Sequence, residues 1–378
     1  MNAAAPFALS VGQRVHAQVK AAAIAHNLAH LKQGLRPTGT RPPKVWATVK
    51  ADAYGHGLAR VLPGLQEADG LAVMQLADAH ACHHAGWRGP ILVYGGLLDD
   101  MEISLLGLPD LHLVLTHEAQ MDWLAQAGAR YAPHAWLRFA GDIGLLGFGP
   151  EAYAAAYARC ESLAARGCIA GIGHLNHYGR AEESDGIALA DAAFRAAAAN
   201  FPGPRSTSNS AALLRHDAHA SGTDWIRPGL ALYGASPLPG RDGASLGLRP
   251  AMSLHSRIIG LRDLNAGDRI GYNGAYTAAS AMRVGLVGCG YADGYPRQAP
   301  AGTPVLVGGA RSHTLGVISM DMMAVDISHL RHVEVGTPVV LWGTSGLPVE
   351  MVARAIGTIA ADLLTGLTSR VPILAANG

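Results

Sequence analysis

Lys50 closes the apolar run Val45-Trp46-Ala47-Thr48-Val49 and opens Ala51-Asp52-Ala53-Tyr54-Gly55-His56-Gly57. Desolvating an ammonium at the inner end of a buried strand is costly. One function that offsets the cost is an amine kept ready for a Schiff base with a carbonyl cofactor such as pyridoxal phosphate. The plainer reading of a single lysine at a strand end is a solvated surface residue. Other polar residues therefore have to converge on Lys50 before the chemical reading stands.

Four such residues stand on or just after other strand-like segments: His174 ends one, Asn209 and Ser210 follow another, and Arg227 lies on a third. Ser210 begins a helix-like stretch, and with the backbone of Gly229-Leu230 it offers a place for a phosphate dianion. Tyr54 can donate to the same phosphate. Arg227 can face a pyridine nitrogen, and a guanidinium does not give up its proton. The ring nitrogen then stays unprotonated and the ring withdraws electrons less strongly. His174 would orient Arg227 or stack on the ring. Taken singly, each has a structural role: Arg227 in an ion pair, His174 in a hydrogen-bonded core, Ser210 as a helix N-cap.

The elements that must position these residues alternate. Strand-like segments cover 44–51, 70–75, 90–94, 111–115, 135–139, 169–174, 205–208 and 225–233, with helix-like segments between them. Regular β-then-α alternation over about 240 residues predicts parallel strands. Eight units match a TIM barrel, whose active residues stand at the C-terminal ends of the strands. An open doubly wound sheet is the alternative, and no early G-x-G-x-x-G supports its dinucleotide form. After Pro237-Leu238-Pro239-Gly240 the pattern becomes β-rich with short turns. The expected division is a barrel domain over 12–240 and a smaller, mostly β domain over 241–378, with residues 1–11 joining the latter.

Composition excludes several functions. The chain has 378 residues, 49% apolar and 15% charged, with a net charge of +1 and no basic cluster, so nucleic acid is not an expected partner. Cys82, Cys160, Cys168 and Cys289 lack metal or disulfide spacing. His80, His83 and His84 read as a polar helix face, and no metal site is expected. The first 14 residues lack the charge and apolar core of a signal peptide. No run reaches the roughly 18 apolar residues of a membrane span. A cytoplasmic protein outside the membrane is the expectation, acting on a small molecule.

The stretch Val49 to Gly57, Val-Lys-Ala-Asp-Ala-Tyr-Gly-His-Gly, resembles the cofactor-lysine signature of bacterial alanine racemases. Ser208-Asn209-Ser210-Ala211-Ala212 and Arg227-Pro228-Gly229-Leu230-Ala231-Leu232-Tyr233-Gly234 resemble the family's phosphate and pyridine segments. Gly271-Tyr272 before Tyr276-Thr277-Ala278 resembles the segment of the second catalytic base. Gly290-Tyr291-Ala292-Asp293-Gly294-Tyr295-Pro296-Arg297 and Ser319-Met320-Asp321 match as well, so the likeness spans nearly the whole chain.

The resemblance implies a TIM barrel followed by a β domain, pyridoxal 5'-phosphate on Lys50, and a head-to-tail homodimer with shared active sites. Lys50 and Tyr272 of the partner would be the two bases that interconvert L- and D-alanine. A phenol is a poor base at neutral pH unless nearby cations favour its charged form. Tyr291 would gate the entrance, Met320 would offer its N–H to the substrate carboxylate, and Asp321 would stand beside it. Supply of D-alanine for peptidoglycan and alanine catabolism are both compatible roles.

One segment departs from the family. Leu145 stands where the family has an arginine that contacts the cofactor and the substrate carboxylate, and Arg138 stands where it has a lysine. Asp142, and Gly173 in place of threonine, are further oddities. Three outcomes stay open: a slow racemase, an enzyme that acts on another substrate or uses Arg138 from a shifted position, or a cofactor-binding protein without turnover.

Overall fold

The computed structural model describes residues 13–35, 41–216 and 222–376. They divide into two units by contact, one comprising the described residues of 24–241 with Ser245–Leu248 and the other the described residues up to Ala23, Asp242–Ala244 and those from Arg249 onward.

In the first of these units eight strands form a closed barrel. They are β1 (Lys44–Thr48), β2 (Gly70–Val73), β3 (Ile91–Val93), β4 (Leu111–Leu115), β5 (His134–Arg138), β6 (Gly171–Leu175), β7 (Arg205–Asn209) and β8 (Trp225–Arg227). Neighbours pair in parallel, and Lys44 opposite Trp225 closes the ring. The parallel barrel expected from the alternation is the fold observed. Five of its strands, β1, β2, β3, β6 and β8, are shorter than the expected segments, because their ends turn into loops or helical turns. Of the helical segments between the strands, Asp100–Leu105 is a 3-10 helix and Ala188–Ala197 an α-helix of ten residues.

Side chains two apart on a strand share a face. The barrel interior is filled by Trp46, Ala72, Leu92, Val114, Trp136, Leu175 and Trp225, one from each of seven strands. Trp46 stacks on Trp225 at 4.0 Å between ring centroids, and Trp136 meets Trp46 edge-on at 6.3 Å. The indoles fit because glycines face them. A Cβ at Gly70 would lie 2.2 Å from Trp46, and one at Gly173 would lie 2.6 Å from Trp136. Gly173 is thus a packing requirement of Trp136, and any larger residue there would strike the indole.

The other unit is built on an eight-stranded sheet. Its long strand Met252–Leu264 pairs antiparallel with Val15–Val19, which in turn pairs parallel with Ile373–Ala375. The strand Val15–Val19 therefore belongs to the β unit, and the division falls near residue 23 rather than 12. Residues 1–11, expected to join this unit, lie outside the described residues. Among the described residues, no helix is long and apolar enough to cross a membrane.

Candidate active site

The inward rows of the barrel core continue past the strand ends. Trp46, Thr48 and Lys50 form one row; Leu92 and Tyr94, Trp136 and Arg138, Leu175 and His177, and Trp225 and Arg227 form others. Period-two alternation thus carries Lys50, Tyr94, Arg138, His177 and Arg227 to the C-terminal end of the barrel above the tryptophans.

Lys50 opens a turn of unusual hand. Ala51, Asp52, Ala53 and Tyr54 have φ of 53°, 49°, 56° and 52°, before Gly55 at 76°. Left-handed backbone costs non-glycine residues roughly 1–2 kcal/mol each. Strain of this kind persists only where surrounding contacts over-determine it. Here Asp52 accepts the N–H of Leu58 on its side chain at 2.8 Å and that of Gly57 on its carbonyl at 3.0 Å. Tyr54 stacks on Tyr233 at 4.8 Å, and Tyr233 donates to the Thr48 carbonyl at 2.9 Å. Lys50 itself is exposed at the mouth. Partial desolvation, and then the charge of Arg138, hold its amine below the ordinary lysine pKa.

Arg227 is 3% exposed. It donates to Ser206 Oγ at 2.6 Å, to the Asn176 carbonyl at 2.6 Å and to the Thr207 carbonyl at 3.2 Å. All three acceptors are neutral. Lys50, Arg138 and Arg227 make no ion pair among the described residues. Cations gathered without acids leave a positive field that suits an anionic ligand.

Beside them is a cradle. Ser210 Oγ accepts the N–H of Gly229 at 2.9 Å and of Ala231 at 3.2 Å, so its own hydroxyl proton is left for a further acceptor. Leu230 lies between them at the first turn of the 3-10 helix Leu230–Tyr233, where an N–H has no intrahelical acceptor. A Cβ built at Gly229 would sit 2.5 Å from Tyr54 Oη. The glycine is what lets the phenol close over this backbone. Burial raises the Tyr54 pKa to about 12, so it stays a donor.

Asn209 caps the helix Ser210–Arg215, accepting from Ala212 N at 2.9 Å and donating to the Tyr178 carbonyl at 3.0 Å. It positions Ser210 and sits 3.5 Å from His177 Nε2.

His174 is not brought to the mouth. Its neighbours Gly173 and Leu175 face the interior, so parity turns His174 outward onto the helix Pro150–Ala165. There its Nδ1 meets Tyr153 Oη at 2.9 Å, its Nε2 meets the Pro202 carbonyl at 3.2 Å, and its ring stacks on Tyr157. It serves packing, and neither orients Arg227 nor reaches a ligand at the mouth. His174→Leu is expected to lower unfolding free energy by about 1–3 kcal/mol, seen as a lower urea midpoint, while ligand binding at the mouth is unchanged.

The imidazole at the mouth is His177. Desolvation, and then Arg227, Arg138 and Lys50, depress its pKa to about 3, so it stays neutral. Sequence reading missed it, and it missed Tyr94, whose hydroxyl pairs with Thr48 Oγ1 at 2.9 Å. Counting in steps of two from the inward Leu175 and Leu92 would have found both.

Tyr272, Tyr291, Met320 and Asp321 lie in the β unit. Tyr272 is 69% exposed on a short turn between Gly271 (φ 79°) and Asn273 (φ 57°). Tyr291 N donates to Ser319 O and Ala292 N to Met320 O, both at 3.0 Å, which joins Tyr291 and Met320 in one surface. Asp321 accepts from Arg370 at 2.5 Å and lies 3.4 Å from Arg14, which also holds the buried Asp293. Arg370 holds its carboxyl below the usual range. Asp321 is thus engaged in ordering the 319–321 loop.

At the opposite end of the barrel, Asp110, His112 and His134 bring possible ligand atoms within 4.8 Å of one another. Trp136 Nε1–H donates to His112 Nδ1 at 2.9 Å, so the neutral ring carries its proton on Nε2, 3.3 Å from Asp110. That proton occupies the lone pair a cation would need.

The family model described as alanine racemase, N-terminal domain, matches residues 19–237, and that described as alanine racemase, C-terminal domain, matches residues 251–375. The chain is 44% identical over 368 residues to an alanine racemase of Bordetella petrii, covering 95% of this chain and 98% of that protein. It is 42% identical over 366 residues to one of Bordetella avium, covering 95% and 98%. The crystal structure of the biosynthetic alanine racemase from Pseudomonas aeruginosa superposes with a TM-score of 0.89 at 38% identity, covering 97% of this chain and all of that one.

Proposed function

This chain belongs to the alanine racemase family, and on that premise we propose that it interconverts L- and D-alanine with pyridoxal 5'-phosphate, using Lys50 and a second copy's Tyr272 as bases. The observation that carries the reading is the trio of unpaired cations beside the Ser210–Gly229–Tyr54 cradle.

The residues fit the cofactor. Lys50 would hold its carbonyl carbon. Ser210 Oγ–H, Leu230 N–H and Tyr54 Oη–H would hold its phosphate. Arg227, fixed by neutral acceptors, would face the ring nitrogen without protonating it, and neutral His177 would lie beside it. When bound, pyridoxal phosphate makes the Cα–H of an attached amino acid acidic. Lys50, its amine favoured as free base by desolvation and by Arg138, would serve one face of Cα. Tyr272 would serve the other. Removal of a proton on one side and return on the opposite side inverts the centre.

Sharing the site between two copies accounts for apolar side chains that one chain leaves exposed. Among these are Met74 (39%), just after β2, and Met101 (79%), in the 3-10 helix after β3, in the barrel unit, and Met320 (49%) and Met322 (40%) in the β unit. We therefore assign a homodimer. Tyr291 and the Met320 N–H would narrow the entrance to a small amino acid.

The test is spectroscopic and isotopic. The purified protein should absorb in the visible, lose that band on borohydride treatment, and move solvent deuterium into Cα of both L- and D-alanine. A colourless protein that cannot be reconstituted overturns the reading. The exposure of Leu145, 80%, supports a second reading, a cofactor-binding protein without turnover. Colour without exchange would establish it.

A Cβ at position 229 tests the cradle. Gly229→Ala should push Tyr54 aside and weaken pyridoxal phosphate binding by the apoprotein about 10- to 100-fold, read by absorbance titration.

A further inference from the structure

Every anionic amino-acid substrate needs a partner for its carboxylate, and position 145 supplies none. Leu145 is 80% exposed, in a loop that leaves the barrel at Phe139 and returns at Phe148. The loop closes tightly at its base: Phe148 N donates to the Arg138 carbonyl at 2.8 Å and Ala140 N to the Phe148 carbonyl at 3.0 Å. A Cβ at Gly147 would lie 2.6 Å from the Arg138 carbonyl. Asp142 Oδ1 accepts Gly179 N at 2.9 Å and ties the loop to the segment after β6. These contacts hold residues 141–147 as a closed excursion and fix the main chain of residue 138.

Arg138 is the last residue of β5, paired in register with Leu175, and lies two residues beyond the inward Trp136. Parity therefore directs it into the mouth with Lys50 and Arg227. Among the described residues it has no acidic partner, and its buried Nε has no hydrogen-bond partner. A buried guanidinium N–H without an acceptor is costly, and an anion placed at the mouth would satisfy it. Arg227, by contrast, already spends donors on Ser206, Asn176 and Thr207.

We infer that Arg138 binds the carboxylate of the amino-acid substrate, taking over from the strand end the contact that family resemblance places at position 145. The fork geometry of arginine matches a carboxylate with two parallel N–H donors. Because Arg138 stands on a strand and not on a loop, the contact is preorganised. The assignment rests on the racemase reading of the same site.

The experiment measures equilibrium binding of propionate, which has the carboxylate but no amine, to the holoenzyme by calorimetry, with ethylamine, which has the amine but no carboxylate, as control. Arg138→Gln should weaken propionate about 10- to 100-fold and leave ethylamine within about twofold. Arg138→Lys, which keeps the charge but loses the fork, should fall between. Leu145→Arg in the otherwise unaltered chain should change propionate affinity less than about twofold, because the carboxylate is already held. Propionate binding unchanged in Arg138→Gln overturns the inference, as does a tenfold gain in Leu145→Arg. Should Arg138→Gln fail to fold, Arg138→Lys and Leu145→Arg decide the matter. If the unaltered protein has neither visible absorbance nor deuterium exchange, the racemase reading itself fails. If it has both and only the Arg138 result is negative, the carboxylate assignment alone falls.

Discussion

Lys50→Ala is expected to abolish the visible absorbance of the purified protein and to lower alanine racemisation by at least about 10⁴-fold. The magnitude combines loss of a covalent anchor with loss of a general base, which alone contributes about 10²–10⁴-fold. Lys50 is the amine the structure presents beside the cradle, with its pKa depressed by desolvation and by Arg138. Ser210, Gly229, Tyr54 and Arg227 remain in place in the variant, so phosphate-dependent binding should persist while borohydride no longer fixes the cofactor. A variant that keeps the absorbance, or that borohydride still labels at another lysine, would place the reactive amine elsewhere.

Tyr272→Phe should lower racemisation about 10²–10⁴-fold. The two enantiomers are equal in free energy, so kcat/KM must fall equally in both directions. Isotope exchange need not fall equally. With Tyr272 gone, Lys50 as the proposed other base would still remove and return the proton of the enantiomer whose Cα–H faces it, with retention. Deuterium should thus continue to enter one enantiomer and cease to enter the other. Tyr272 is 69% exposed on its turn, so loss of its hydroxyl should leave the unfolding midpoint unchanged. Equal exchange into both enantiomers would show that one base serves both faces, and unchanged racemisation would remove Tyr272 from the mechanism.

Much of the barrel could be read from the chain because it depends on local pattern. Eight alternations of strand and helix leave few topologies, and apolar runs such as Leu111–Leu115 are buried along their whole length. The same continuity hides direction. When both faces of a strand are buried, composition does not say which residues look inward. His174 illustrates the cost: it ends an apolar strand as Lys50 nearly does, yet one step of parity separates it from the mouth. His177, three residues later and beyond the strand, is the imidazole that reaches the cations.

Residue types, their order and the resemblance they carry placed Lys50, Tyr54, Ser210, Arg227 and Gly229 in one candidate site, because each occurs in a contiguous segment with its own signature. Only the tertiary structure decided what those residues face. It showed the left-handed turn from Ala51 to Tyr54, which propensity disfavours and long-range contacts with Tyr233 support. It joined Val15–Val19 to strands more than 230 residues away. It also left Arg138 with an unpaired Nε while Leu145 turned to solvent. Pairing across the chain and the satisfaction of buried polar groups are properties of neighbours in space, and a linear pattern specifies neither.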